Sequence, residues 1–246
     1  MAIDLSIIVP TINEDAYIEK TLKSILRQST HSRFEIIVCD GGSNDNTVSI
    51  ARKYARVVFS PTLGIGPQLD FAARLARGKI LVFLDADTLM PEDYLRRVYG
   101  SFSTDKDLWA CGATFGYYRK KKHEIKLGNV RTSFTEYVFI NFAMYLWYVF
   151  RDFFHFTEIP GCNFCIRKDI YLETEGFRRC AALPTDIALS FVVRELIKRK
   201  RKGRMKILKS IIVLTSSRRI SLKRSTRLVK DYSRILAEAT KTYSRS

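Results

Sequence analysis

Short apolar runs alternate with amphipathic stretches along the first hundred residues, and each spacing predicts an element. Leu5 to Val9 (LSIIV) is five apolar or small residues stopped by Pro10, the pattern of a buried strand. From Asp15 to Arg27 the apolar Ile18, Leu22, Ile25 and Leu26 fall at helical spacing. Phe34 to Cys39 (FEIIVC) predicts a second strand. It runs into the turn-rich Asp40-Gly41-Gly42-Ser43-Asn44-Asp45, where Asn44 or Asp45 can cap a helix reaching Tyr54. Val57 to Phe59 is a short strand. Gly64 to Arg77 is a loop entering a helix with Leu69, Ala72, Ala73 and Ala76 inward. Lys79 to Leu84 (KILVFL) is a third strong strand and ends at Asp85-Ala86-Asp87. Pro91 to Phe102 predicts a helix, with Pro91 at its first position and Glu92 and Asp93 in its first turn.

The second half is less regular. Trp109 to Tyr118 reads as extended, Ser133 to Phe154 as an aromatic helix, and Cys162 to Ile166 as a short strand before a helix near Asp169 to Glu173. Thr185 can cap a helix running to Lys200. Arg204 to Leu214 is a strand, and Leu222 to Thr240 a final amphipathic helix. The strand–helix alternation of the first half is the signature of a parallel sheet covered on both faces. Ligands of such sheets sit beyond the carboxyl ends of the strands. Three polar clusters lie there: Thr11-Ile12-Asn13-Glu14, Asp40 to Asp45, and Asp85 to Asp87.

With 246 residues, 46% apolar and 27% charged, the chain is long enough for one full-sized core and is neither disordered nor collagen-like. Five scattered cysteines are too few for a disulfide scaffold and point to reduced thiols. Cys162-x-x-Cys165 has metal or redox spacing but lacks a second pair or a His set, so inert thiols are expected. His31, His123 and His155 are isolated. The net charge of +17 is uneven: residues 1–193 hold 24 Lys/Arg against 22 Asp/Glu, and residues 194–246 hold 18 against 3. A nearly neutral body followed by a basic end suits an anionic surface or ligand.

No signal peptide is read at the start, where the apolar run is cut short by Pro10. The longest apolar stretch, YVFINFAMYLWYVF (Tyr137 to Phe150), has 14 residues, short of the roughly 20 a spanning helix needs. Its aromatics favour a membrane–water boundary, and Lys198-Arg199-Lys200-Arg201-Lys202 would each add roughly 1 kcal/mol near anionic lipid. The expectation is a cytoplasmic chain, peripheral at the cytoplasmic face of the membrane. The bland alternative is that the aromatics fill the core and the charges form a solvated face. Charge of this kind also suits nucleic acid, but no helix-turn-helix, zinc finger or aromatic strand motif accompanies it.

Asp85-Ala86-Asp87 ends a buried strand with two carboxylates, which cap the following helix or hold a divalent cation through hard oxygens. With these residues in view, SIIVPTINE, EIIVCDGGSNDNT and GKILVFLDADT resemble the motifs of family 2 glycosyltransferases, in order and spacing across residues 5–90. The likeness continues more loosely to about residue 219 through GCNFCIRKDIYLETEGF, PTDIALSFVVREL and LTSSRR. It implies an α/β chain of the GT-A (Rossmann-like) fold, a mixed, mostly parallel sheet flanked by helices over 1–220; the pattern and charge beyond it add a basic amphipathic helix over 221–246, packed on that domain or on a membrane surface. It further implies an inverting hexosyltransferase that moves a sugar from a UDP-sugar or GDP-sugar, with Mg²⁺ or Mn²⁺, to an acceptor, here expected to be lipid-linked.

By that resemblance Pro10, Thr11, Asn13, Glu14, Asp40, Gln68, Asp85, Ala86 and Asp87 bind the nucleotide-sugar. Asp40 would meet the base, Asp85 the ribose, and Asp87 the metal. Asp186 is the candidate general base. Relatives often carry Glu-Asp there where this chain has Thr185-Asp186, and its bland reading is charge complementarity at a helix start. Arg218 and Arg219 would hold the diphosphate or an acceptor phosphate. Gln68 matches a Gly-Arg-x-x-Gln-like loop that lacks its Arg here. The Gln-x-x-Arg-Trp pattern of processive enzymes is absent. Two competing readings remain: a nucleic-acid-binding protein on a degenerate GT-A scaffold, and a nucleotidyl transferase, which would need a Lys- and Gly-rich phosphate loop that Pro10 to Glu14 is not.

Overall fold

A computed structural model describes residues 2–118, 146, 159–174, 176–177 and 185–219, with the backbone alone at 185–188 and 219. The apolar runs become β1 (Leu5–Thr11), β2 (Phe34–Asp40), β3 (Arg56–Phe59) and β4 (Ile80–Leu84), each within two residues of the pattern. β1 passes through Pro10 instead of ending there. Its pairing with β4 stops at Ile8↔Phe83, so the missing Pro10 N–H interrupts nothing on that side, and its register with β2 continues to Thr11↔Asp40.

The amphipathic stretches become α1 (Ile18–Leu26), α2 (Thr47–Ala51), α3 (Ile65–Leu75) and α4 (Tyr94–Thr104). Pro91 does not open α4; Asp93 takes the cap position. The reason is tertiary: Gln28 Nε2 donates to the Pro91 carbonyl (2.7 Å) and Ser29 N to the Glu92 carbonyl (2.7 Å). These bonds hold residues 91–92 against the end of α1 before the chain can wind. The helix beyond Asp45 is also shorter than expected, closing at Ala51.

Beyond α4 come β6 (Leu108–Tyr118), β7 (Asn163–Arg167), α5 (Lys168–Glu173), α6 (Thr185–Lys200) and β8 (Arg204–Ser216), then a 3₁₀ turn (Ser217–Arg219). A two-residue strand β5 (Thr88–Leu89) follows β4. The eight strands form one sheet in the order β3-β2-β1-β4-β7-β6-β8-β5. The β1–β2, β2–β3, β1–β4 and β6–β8 ladders are parallel; β4–β7, β6–β7 and β5–β8 are antiparallel. The sheet is therefore mixed and mostly parallel, as expected. The β6–β8 register jumps from Ala113↔Leu208 to Thr114↔Ile212, so residues 209–211 bulge out.

Strand alternation sorts the core into two layers. Leu5, Ile7 and Val9 face α1 and α4, packing on Ile18, Leu22, Ile25, Leu95, Val98 and Phe102. Ile8, Ile37 and Phe83 face the other way, onto Leu69, Ala72, Ala73, Tyr171, Leu189 and Val193 of α3, α5 and α6. Each such aliphatic side chain contributes roughly 1.5–3 kcal/mol on full burial. The chain leaves β1 toward β2 and β3, then returns to lay β4 on the other side of β1. That reversal is a topological switch point, and it opens a crevice between the carboxyl ends of β1 and β4.

Apart from a helical, exposed Leu146, the aromatic stretch at 133–154 lies outside the described residues, as does the basic segment 221–246. Among the described residues no helix is long and apolar enough to cross a membrane.

Candidate active site

The loop after β2 is built around one carboxylate. Asp40 is 1% exposed, and its Oδ2 accepts from the backbone N–H of Gly42 (2.9 Å) and Ser43 (2.8 Å). Its Oδ1 accepts from the Ser43 hydroxyl (2.6 Å) and, more distantly, from Thr11 Oγ1 (3.4 Å). Four donors of the chain thus meet about four lone-pair positions. Asp40 shapes the loop, and a base N–H could reach it only in place of one of these. Gly42 turns with φ +98°, a value that L side chains rarely adopt.

The loop after β1 is laced to this one. Ser43 Oγ accepts from Asn13 N (2.9 Å), Asn13 Oδ1 accepts from Asn44 N (2.9 Å), and Thr47 Oγ1 accepts from Glu14 N (2.7 Å). Asn13 sits at φ +54°, a left-handed conformation its short amide tolerates. Asp45 accepts from Asp15 N and Thr47 N, and these bonds outweigh its desolvation and lower its pKa. Gln68, 4% exposed, donates from Nε2 to the Thr11 carbonyl (3.1 Å) across Gly41. A Cβ at Gly41 would stand 1.9 Å from that nitrogen, so glycine is what lets α3 reach the end of β1.

Asp85, Ala86 and Asp87 form the opposite wall. Thr21 Oγ1 donates to the Ala86 carbonyl (2.7 Å), pinning the turn to α1. The half-buried Asp85 ties its N–H to the Cys162 carbonyl. Asp87, 6% exposed, faces Thr215 Oγ1 (3.4 Å) through Oδ1 and Arg218 Nε (3.0 Å) through Oδ2. Arg218 Nη2 also contacts Glu14 Oε1, and its guanidinium lies 4.5 Å from the centre of the Tyr17 ring. One cation therefore joins two buried carboxylates and an aromatic face across the crevice. A pair at 3 Å is worth about 5 kcal/mol gross at an effective dielectric of about 20, much of it offset by desolvation. Burial opposes the Arg218 charge, and Glu14 and Asp87 outweigh it, so its pKa is raised. Tyr118 donates to the Asp87 carbonyl (3.2 Å), and burial followed by the Asp87 charge keeps its hydroxyl protonated.

The profile of glycosyl transferase family 2 matches residues 6–173. The chain belongs to this family. Validoxylamine A glucosyltransferase of Streptomyces hygroscopicus subsp. limoneus is 32% identical over 128 residues, 48% of this chain and 28% of that protein. The chain thus matches only about a third or less of the length of its first curated relatives. Among solved structures, S. aureus TarS in complex with UDP-GlcNAc superposes with a TM-score of 0.59 at 18% identity, covering 89% of this chain and 60% of TarS. The mannosyltransferase PcManGT of Pyrobaculum calidifontis, in complex with GDP-Man and Mn²⁺, gives 0.61 at 17%, covering 96% and 65%. These likenesses establish the GT-A fold of the family 2 chain.

The structure brings Pro10, Thr11, Asn13, Glu14, Asp40, Gln68, Asp85, Ala86, Asp87 and Arg218 to one edge of the sheet. Pro10, Thr11, Asp40 and Gln68 are buried in supporting positions, and Asn13 is exposed at the rim. Asp186 falls in the first turn of α6 and Arg219 ends the 3₁₀ turn; both side chains lie outside the described residues. Sequence reasoning passed over Tyr17, Ser43, Thr47, Tyr118 and Thr215. Ser43 and Thr47 lie inside a quoted motif, whereas Tyr17 and Tyr118 carry no local signal.

One expectation is tempered. The basic run closing α6 is largely paired: Lys198 with Glu195 (2.9 Å), Lys200 with Glu173 (2.5 Å), Lys202 with Asp107 (3.6 Å) and, just beyond, Arg204 with Asp105 (2.6 Å). Much of that charge is answered within the fold. Cys165 is fully buried beside Tyr94 Oη (3.3 Å), Cys39 is pushed up to about 11 by burial and the Asp40 charge, and both thiols are free.

Proposed function

We propose that this chain transfers a sugar from a nucleoside-diphosphate donor to an acceptor, with inversion at the anomeric carbon. The observation carrying this reading is the convergence of three polar strand ends, with Arg218 bridging Glu14 and Asp87, at the switch-point crevice of a family 2 fold. PcManGT is bound to GDP-Man and Mn²⁺, and TarS to UDP-GlcNAc, which supports a nucleotide-sugar here.

The donor set fits a divalent cation. Asp87 offers a hard carboxylate at a buried strand end, and among the described residues no group of three His, Cys, Asp or Glu builds a closed cage. One carboxylate completed by substrate phosphates is the ordinary binding mode of Mg²⁺ or Mn²⁺. Bound there, the ion supplies charge neutralisation for the leaving diphosphate. The chain's own residues do the rest. The Pro10–Glu14 and Asp40–Asp45 loops, locked by Asp40 and Gln68, set the shelf for the nucleoside, and Asp85 lies toward the ribose. Arg218 and Arg219 hold phosphate oxygens, and Asp186 accepts the proton of the acceptor hydroxyl.

We place the acceptor on a lipid, at an anionic membrane surface on the cytoplasmic side, because aromatic 137–154 and the basic residues beyond 194 together suit that boundary. Flotation with anionic liposomes at low salt tests this, and loss of co-flotation would exclude it. For the reaction itself, UDP- and GDP-sugars are screened for hydrolysis and transfer with Mn²⁺, with Asp87→Ala as control. Turnover that is metal-dependent in the native chain and absent in the variant is expected; full turnover by the variant would overturn the role of Asp87.

A further inference from the structure

We infer that Arg218 is an exchangeable counter-ion for Asp87: it holds that carboxylate until a divalent cation arrives with a diphosphate, then moves onto the phosphate oxygens. This deepens the nucleotide-sugar reading above and rests on it.

The geometry makes the two cations alternatives. Arg218 Nε lies 3.0 Å from Asp87 Oδ2. A Mg²⁺-like ion would stand about 2.1 Å from a carboxylate oxygen, inside the space the guanidinium takes up. Asp87 Oδ1 already faces the Thr215 hydroxyl. Unlike Asp40, the Asp87 carboxylate accepts from no backbone N–H among the described residues, so its charge is balanced by a cation, and the guanidinium and the metal ion take that role in turn.

Arg218 can let go without being stranded. Its second anchor is Glu14, whose side chain is 5% exposed, and its guanidinium carbon lies over the Tyr17 ring. Its own side chain is 22% exposed, the most open member of the trio. It stands on a single 3₁₀ turn past the end of β8, outside the ladder. Release from Asp87 is thus a pivot about Glu14 and Tyr17.

Charge completes the argument. Glu14, Asp87 and Arg218 together carry a formal −1. A divalent cation alone would make the cluster +1, a nucleotide-sugar diphosphate alone −3, and the two together −1 again. Each ligand therefore favours the other, and Arg218 sets the size of that coupling.

The test is Mn²⁺ binding to the full chain, read as free Mn²⁺ by electron paramagnetic resonance, with and without UDP or GDP. In the native chain Mn²⁺ alone binds weakly, and nucleotide strengthens it about 10-fold or more. Arg218→Gln is expected to bind Mn²⁺ alone about 10-fold more tightly and to lose most of the nucleotide enhancement. Glu14→Gln is expected to weaken Mn²⁺ alone severalfold, the opposite sign, and it serves if Arg218→Gln does not fold. Arg96→Gln, the same charge change on an exposed face of α4, leaves both numbers unchanged.

Unchanged or weaker Mn²⁺ binding in Arg218→Gln would overturn the exchange and leave a fixed ion pair. If neither UDP nor GDP binds the native chain, the nucleotide-sugar reading falls. The comparison of Mn²⁺ alone between native chain and variant still decides whether Arg218 and metal share Asp87.

Discussion

The sheet carries a carboxylate–arginine assembly at each edge, and the two are built differently. At the amino edge Glu35 Oε1 accepts from the Ser6 hydroxyl (2.7 Å) and the Arg77 N–H (2.6 Å), while Oε2 takes the Arg77 guanidinium (2.9 Å). Ser6 Oγ also accepts from Gly78 N (2.8 Å), so β1, β2 and the entry to β4 are braced together. The arginine there is 67% exposed, and backbone and hydroxyl donors do most of the holding. At the carboxyl edge the ratio is reversed. Two carboxylates share one arginine that is 22% exposed, and it comes from the far end of the chain. The first arrangement is a brace in which neutral donors hold one oxygen of the acid and an exposed guanidinium only supplements them. The second leaves an acid dependent on a cation that can be replaced, which is what a charged ligand requires.

The sharpest way to break this contrast is to neutralise the acid at each edge. If Asp87 holds the metal ion as proposed, Asp87→Asn cuts kcat/KM for the nucleotide-sugar roughly 10³-fold, since the charge stabilisation a metal ion lends a leaving group is worth several kcal/mol, while the denaturation midpoint moves little. Donor turnover and urea unfolding measured on the same preparation decide it. Asp40→Ala comes next: with Gly42, Ser43 and Thr11 deprived of their acceptor, donor KM should rise about 10-fold and stability fall by about 1–3 kcal/mol. Titration of the donor and thermal melting read the two effects.

Gly41→Ala pushes a Cβ against Gln68 and should cost about 1–3 kcal/mol. The Gly41→Ala/Gln68→Ala double variant is expected to be less destabilised than the sum of the two singles, because the clash is removed with the amide. Additive costs would show that Gln68 is not what glycine accommodates.

The smallest effect belongs to the amino edge. Glu35→Gln should cost about 1 kcal/mol and leave kcat/KM within about twofold. Burial raises the Glu35 pKa, but the bonds from Ser6 and Arg77 outweigh it and leave it below the usual carboxylate value. A lowered folded pKa gives stability that is present above the unfolded value and lost as pH falls through the folded one. The native chain should therefore weaken more than Glu35→Gln between pH 6 and pH 3, as judged from urea midpoints.

The contrast also explains what was legible in the chain. The strands and their polar ends were readable because each is a local pattern: an apolar run, then Asn, Asp, Gly or Ser within five residues. Asp40 and its loop close over three residues, so their spacing announced them. Arg218 was legible as a candidate for phosphate, but its meeting with Glu14 across 204 residues was not. No period in a sequence encodes which strand end lands beside which. Tyr17 was invisible for the same reason, since an aromatic at a helix start means packing until a guanidinium lies over it. Pro10 and Pro91 misled as boundary marks because neighbouring strands and side-chain amides overrode local preference.

The bulge at 209–211 has a bearing on all of this. Thr114 Oγ1 grips the Ile211 carbonyl (2.6 Å), and Arg97 Nη1 donates to the Ser210 carbonyl and hydroxyl (3.1 Å each), so the kink is clamped from β6 and from α4. Side chains along β8 alternate between core and solvent past that point. Adding or removing one residue there would slide the strand end by about 3.3 Å and turn each later side chain to the other face. The kink thus meters the length of β8, and the reach of Arg218 to Asp87 is the quantity it measures out.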